Sequence, residues 1–137
     1  MYKAIAVPVD LEHTEKLTKA LATAADLSKV YSIPVHYVAV TAATPGRVAH
    51  NPQEFAQKLQ AFAEEQGAKF GVRVNSKAVT SHDPAVDVDK AIQRAVKEIG
   101  ADLVVMASHI PGVVEHLISS NAGYFAAHSD ASVFVVR

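Results

Sequence analysis

Four consecutive apolar residues, Leu103-Val104-Val105-Met106, leave this chain few ways to fold. A run of strand length without a polar side has to be covered on both faces, and that is the position of a strand inside a parallel sheet. An antiparallel strand with one wet face would alternate instead. The residues after it, Ala107-Ser108-His109-Ile110-Pro111, read as a polar loop, and Ser119-Ser120-Asn121 read as a helix start. A buried strand that opens through a loop into a helix N-terminus gathers backbone N–H groups and a helix dipole, both of which favour an anion.

The rest of the chain alternates strand and helix in the same way. Tyr2 to Val9 is apolar and β-prone, ending in Pro8-Val9-Asp10. From Thr14 to Tyr31, Leu17, Ala20, Leu21, Ala24, Leu27 and Tyr31 recur at helical spacing and form one apolar stripe. Pro34 to Val40 is a second strand, and Thr41 to His50 a loop marked by Pro45-Gly46. Asn51-Pro52-Gln53-Glu54 then has the residues of a helix start: an N-cap, a proline at the first position and a glutamate at the third. Phe55, Leu59 and Phe62 supply that helix with a buried face, and Gly67 suits its C-terminal cap. Val72 to Val79 alternates apolar and polar residues, as a half-exposed edge strand does. Asp83-Pro84 starts a further helix that Gly100 stops, Val114 to Ala127 is partly helical, and Ser132 to Arg137 is a fifth strand.

Five strands with intervening helices imply right-handed crossovers, a mostly parallel sheet and helices on both faces. A chain of 137 residues is expected to form one domain, residues 1–137, without internal repeats. In such a sheet ligands sit beyond the carboxyl ends of strands, where the strand order reverses. The ends to watch are Pro8-Val9-Asp10, Ala39-Val40-Thr41 and Met106-Ala107-Ser108.

Composition removes several classes of function. Thirteen basic and fourteen acidic residues nearly balance, and no basic stripe offers a footprint for nucleic acid. There are no cysteines for thiol chemistry or disulfides, in keeping with a reducing compartment. No charged stretch followed by an apolar core precedes the first strand, and no apolar run approaches membrane-spanning length, so a cytoplasmic protein without membrane insertion is expected. The seven histidines form no H-x-x-x-H pair, so no metal site is read here. Neither a nucleophile elbow around Ser108, Ser119 or Ser120 nor a P-loop is present, and no catalytic residue is assigned.

Three segments together resemble the universal stress protein family: Met1 to Asp10 with its Pro-x-Asp ending, Ala101 to His109, and Ser120 to Arg137. The resemblance spans the whole chain. It implies a flavodoxin-like doubly wound sheet in the order 3-2-1-4-5, a homodimer joined through the last strand, Ser132 to Arg137, and ATP or AMP as a bound ligand. Members that bind adenine nucleotides carry a G-x-x-G-x9-G-[S/T] pattern, and one subgroup has a His and Pro in the loop. On that register Ala107, Ile110 and Ser119 stand at the glycine positions, while Ser120 and Asn121 keep the polar pair.

The resemblance also distributes roles. Pro8, Val9 and Asp10 border the adenosine end and Val40 offers its backbone to the adenine edge. Met106, Ala107 and His109 line the ribose and phosphate side, and Ser119, Ser120 and Asn121 present N–H and hydroxyl groups to phosphate. The substituted glycines bear on this. Ala107 adds a methyl, and Ile110 disfavours positive φ and brings no charge. Asp10 has a plain alternative, capping the first helix or orienting a turn beside Glu12 and His13, and His109 could be an ordinary loop residue. The expected function is therefore a stress-response regulatory domain, not an enzyme, with a weakened adenine-nucleotide cleft and an unidentified regulatory protein as partner. A dimeric scaffold of the same fold without a ligand is the alternative. A slow nucleotide hydrolase using Asp10 or His109 as base stands behind both, for want of paired carboxylates or metal ligands.

Overall fold

The computed structural model describes residues 1–108 and 121–137. The elements run β1 (Ile5–Pro8), a 3-10 turn (Thr14–Lys16), α1 (Thr18–Tyr31), β2 (Val35–Ala42), α2 (Pro52–Phe70), β3 (Val74–Ser81), α3 (Pro84–Ile99), β4 (Leu103–Ala107), α4 (Asn121–His128) and β5 (Ser132–Val136). The strands form one sheet in the order β3-β2-β1-β4-β5. Every neighbouring pair is parallel, with Ile5 level with Val35 on one side and Leu103 on the other. This is the doubly wound arrangement expected from the alternation of elements.

Two cores follow from the period-2 alternation of side chains. Ile5, Val7, Val35, Tyr37, Leu103 and Val105 point to one face, where Leu17 and Leu21 of α1 and Phe55 and Leu59 of α2 cover them. Ala6, Val38, Val104 and Met106 point to the other, against Ile92, Ala95 and Val96 of α3 and Phe125 of α4. The all-apolar β4 is buried along its whole length, as its sequence requires. At its amino end the Asp102 carboxylate accepts the N–H groups of Lys3 and Ala4 at 2.9 and 3.2 Å, tying the start of β1 to that of β4.

The helix ends show which local signals act. Asn51 caps α2 as expected: its side chain accepts the Glu54 N–H at 2.8 Å, and Pro52 follows at the first position. The α3 helix begins at Pro84, but no side-chain bond comes from Asp83; instead the Asp83 N–H donates to Ser81 Oγ at 3.3 Å. Gly100 ends α3 with φ of 77°, in the left-handed region that glycine enters without strain.

Gly67 is not the cap of α2. The helix continues to Phe70 and turns at Gly71, whose φ is 69°. Gly67 serves another need: a Cβ there would lie 2.9 Å from the Val72 carbonyl oxygen, which the returning chain brings against the helix. Both β2 and β3 also run two residues further than their apolar stretches, because Thr41 pairs with Thr80 and Ala42 with Ser81.

Candidate functional site

A cleft of about 270 Å³ opens at the carboxyl ends of β1 and β2. Its floor is apolar. Val9 and Val38 supply it from the strands, Phe55 from α2, and Val88 and Ile92 from α3. The volume lies just under the range of about 300–1,000 Å³ usual for small-molecule pockets, so it suits one ring system with its attachments rather than a long ligand. The floor is held by the sheet: the Val9 N–H donates to the Val38 carbonyl at 2.8 Å, extending the β1–β2 ladder past Pro8.

Two polar lips face each other across this floor. The first is the turn after β1, residues Asp10 to Glu12. The Asp10 carboxylate is half-spent on its own turn: Oδ1 accepts the Glu12 N–H at 2.9 Å, and Oδ2 pairs with His13 Nδ1 at 3.0 Å. The Asp10 carbonyl accepts the His13 N–H at 3.1 Å. Asp10 therefore orients a turn as well as lining the cleft, and it does not cap α1, whose N-cap Leu17 receives no side-chain bond. Ligand atoms of Asp10, Glu12 and His13 lie within 4.8 Å of one another, which makes these three the residues that could hold a cation among those described. Their mutual contacts are those of a closed Asx-type turn, and that turn accounts for their proximity without an ion.

The second lip is the loop from Thr44 to Ala49, between β2 and α2. It is fastened from outside the cleft. The Gly46 N–H donates to the Ala49 carbonyl at 2.9 Å, and Lys58 Nζ donates to the Val48 carbonyl. Glu54, in the first turn of α2, accepts from the His50 N–H at 3.3 Å and pairs with Lys58 at 3.2 Å. The His50 backbone bond, with bonds from the Lys58 and His50 side chains, holds the Glu54 carboxyl below its ordinary pKa. Arg47 projects from this lip, exposed, with no ion pair or hydrogen bond among the described residues.

Pro8, Val9, Asp10 and Val40 are thus brought together in one wall, on strand ends that the sequence marks. Met106 and Ala107 occupy the carboxyl end of β4 but do not line this cleft: Met106 is fully buried against the α3 side, and Ala107 packs in the opposite core. His109, Ile110, Ser119 and Ser120 lie outside the described residues. Asn121 opens α4, and its side chain lies outside what is described. Sequence reasoning did not single out Arg47, Phe55, Val88 or Ile92 as wall. Only Arg47 carried a readable signal, as the one cation in the loop that follows a strand's carboxyl end.

The comparisons agree with this geometry. The description of the Universal stress protein family fits residues 1–137. Universal stress protein G of Shigella flexneri is 31% identical over 143 residues, covering all of both chains. Among solved structures, a universal stress protein of Archaeoglobus fulgidus in complex with dAMP matches with a TM-score of 0.70 at 18% identity, over 99% of this chain and 98% of that one. A family protein of Arabidopsis thaliana with AMP bound matches with a TM-score of 0.62 at 14% identity, over 98% of this chain and 90% of that one. The fold is the flavodoxin-like fold of these proteins, and with the family description fitting its whole length, the chain belongs to the universal stress protein family.

Proposed function

We propose that this domain binds an adenine nucleotide in the cleft beyond β1 and β2 and works as a ligand-dependent regulatory module in the stress response. The observation that carries the reading is the cleft itself: an apolar floor of single-ring-system size between two polar lips, at strand ends where doubly wound sheets hold ligands. The relatives solved with dAMP and AMP support the choice of ligand class. Pro8, Val9, Asp10 and the Val40 backbone border the base in this reading. Met106, Ala107, His109, Ile110, Ser119, Ser120 and Asn121 belong to the ribose and phosphate side, where Ala107, Ile110 and Ser119 weaken the grip that glycines would give. ATP or AMP is bound and not consumed. Asp10, already engaged by Glu12 and His13, is a poor general base, so the domain is no hydrolase. Occupancy orders the Thr41–Asn51 and Ser108–Ser120 loops and changes the surface offered to a regulatory partner.

The domain is also proposed to be a cytoplasmic homodimer. No described helix is long and apolar enough to cross a membrane. The support for the dimer is the outer edge of β5, where Phe134 and Val135 are 45% and 41% exposed. An apolar strand edge left bare invites pairing, and an isologous partner covers it. Removing Val133 to Arg137 is expected to yield monomers or aggregates on sizing; an unchanged dimer refutes pairing through this strand.

The ligand reading is tested on the purified protein. With no Trp and four Tyr, the chain absorbs weakly at 280 nm, so a retained nucleotide stands out at 260 nm. Millimolar AMP or ATP is expected to raise the melting temperature. Nucleotide-free protein whose melting temperature neither ligand moves leaves the scaffold reading in its place.

A further inference from the structure

Ionisable groups are few among the residues lining the cleft: Asp10 and Glu12 on one lip, Arg47 on the other. They are not equivalent. The Asp10 carboxylate already accepts from Glu12 and pairs with His13, whereas the Arg47 guanidinium has no ion pair or hydrogen bond among the described residues. Arg47 is also carried on a loop held in place from behind, by the Gly46–Ala49 backbone bond and by Lys58 on the Val48 carbonyl. A long cation on a floppy loop would lose much of its binding energy to ordering, and a fixed loop reduces that loss. Thr44 lines the same lip and adds a hydroxyl donor.

We infer that Arg47 is the anion anchor of this cleft and that the ligand it selects is a nucleoside monophosphate. The inference rests on the nucleotide reading above and goes beyond it in naming the phosphate count and the residue that reads it. A guanidinium presents two parallel N–H donors that match two oxygens of a terminal phosphate, and Asp10 and Glu12 repel an anion from the opposite lip. The cleft of about 270 Å³ is filled by a nucleoside, which brings the first phosphate to the lip. Further phosphates then extend past Arg47 and gain nothing from the cleft. The cation thus stands on the β2–α2 loop, on the other side of the fold from the β4 turn whose glycines are replaced.

The test is calorimetric titration of the full chain and of Arg47→Gln and Arg47→Lys with adenosine, AMP and ATP. Wild type should bind AMP about tenfold tighter than adenosine. ATP should bind no tighter than AMP. Arg47→Gln should erase the gap between AMP and adenosine while leaving adenosine affinity within about twofold, since a solvent-exposed side chain contributes little to the fold. Arg47→Lys should keep part of the gap, because an ammonium supplies charge but not the fork. If adenosine and AMP both bind and Arg47→Gln leaves their ratio untouched, the anchor is elsewhere and this inference falls while the nucleotide reading stands. ATP binding well above AMP overturns the phosphate count. If neither adenosine nor AMP binds, the nucleotide reading itself falls.

Discussion

The two lips of the cleft are built on opposite plans. The β1 lip is self-contained: Asp10 accepts from Glu12 and pairs with His13, so its charge is largely answered within four residues. The β2 lip is held by its neighbour α2, through Lys58, Glu54 and the Asn51 cap, and its one cation is left unanswered. A turn that satisfies itself stays as it is whether or not a ligand is present. A loop fastened at its back, with an open charge at its front, is the side that ligand binding can change.

The floor beneath both lips carries the largest expected effect. Phe55 is buried, packs in the α1–α2 core and lines the cleft. Phe55→Ala should lower unfolding free energy by about 3–5 kcal/mol in denaturant titrations, through lost burial and the cavity left behind. A loss under about 1 kcal/mol, the scale of a surface change, would mean that the floor is not shared core.

Smaller changes separate the lips. Asn51→Ala removes the α2 cap and should cost about 1 kcal/mol. It should also speed hydrogen exchange at the Gly46 amide, whose bond to Ala49 lies in the loop the cap supports. Asp10→Ala should cost about as much through the lost turn bonds, yet leave Gly46 exchange unchanged. Equal exchange in the two variants would erase the distinction between the lips.

Acid should act on the β2 lip in the same direction and more gently. Glu54 is held below its ordinary pKa in the folded chain, so its contribution is present above the unfolded value of about 4.5 and lost as pH falls through the folded one. Exchange at Gly46 should therefore quicken as pH falls below that value, after correction for intrinsic rates. Glu54→Gln should abolish that extra acid response, and an unaltered pH profile in this variant would remove Glu54 from the fastening of the loop.

Much of this architecture was legible in the residues, and where it was not, a physical competitor explains the gap. The apolar run of β4 and the stripes of α1 and α3 imply a two-faced parallel sheet, because burial on both faces admits little else. Gly67 misled as a stop, since glycine also serves where another backbone comes close, and that need at the Val72 carbonyl is tertiary. Thr41, Ala42, Thr80 and Ser81 are small or polar and read as loop, but pairing with one another keeps them in the ladder. Pro8, Val9, Asp10 and Val40 were found from strand ends alone. Phe55, Val88 and Ile92 could not be, since their helices reach the cleft only through the crossovers that lay α2 and α3 on opposite faces of the sheet.

The central claim is that the cleft between these lips is where a nucleotide binds. The direct measurement is an NMR titration of the isotope-labelled protein with AMP, following backbone amides along the chain. The account predicts saturable shifts concentrated at Val9 to Glu12, Val40 to Ala49 and the first turns of α3, with those at the β2 lip larger than those at the β1 lip. Saturable shifts that leave these residues still, or no saturable shifts at millimolar AMP, would contradict it.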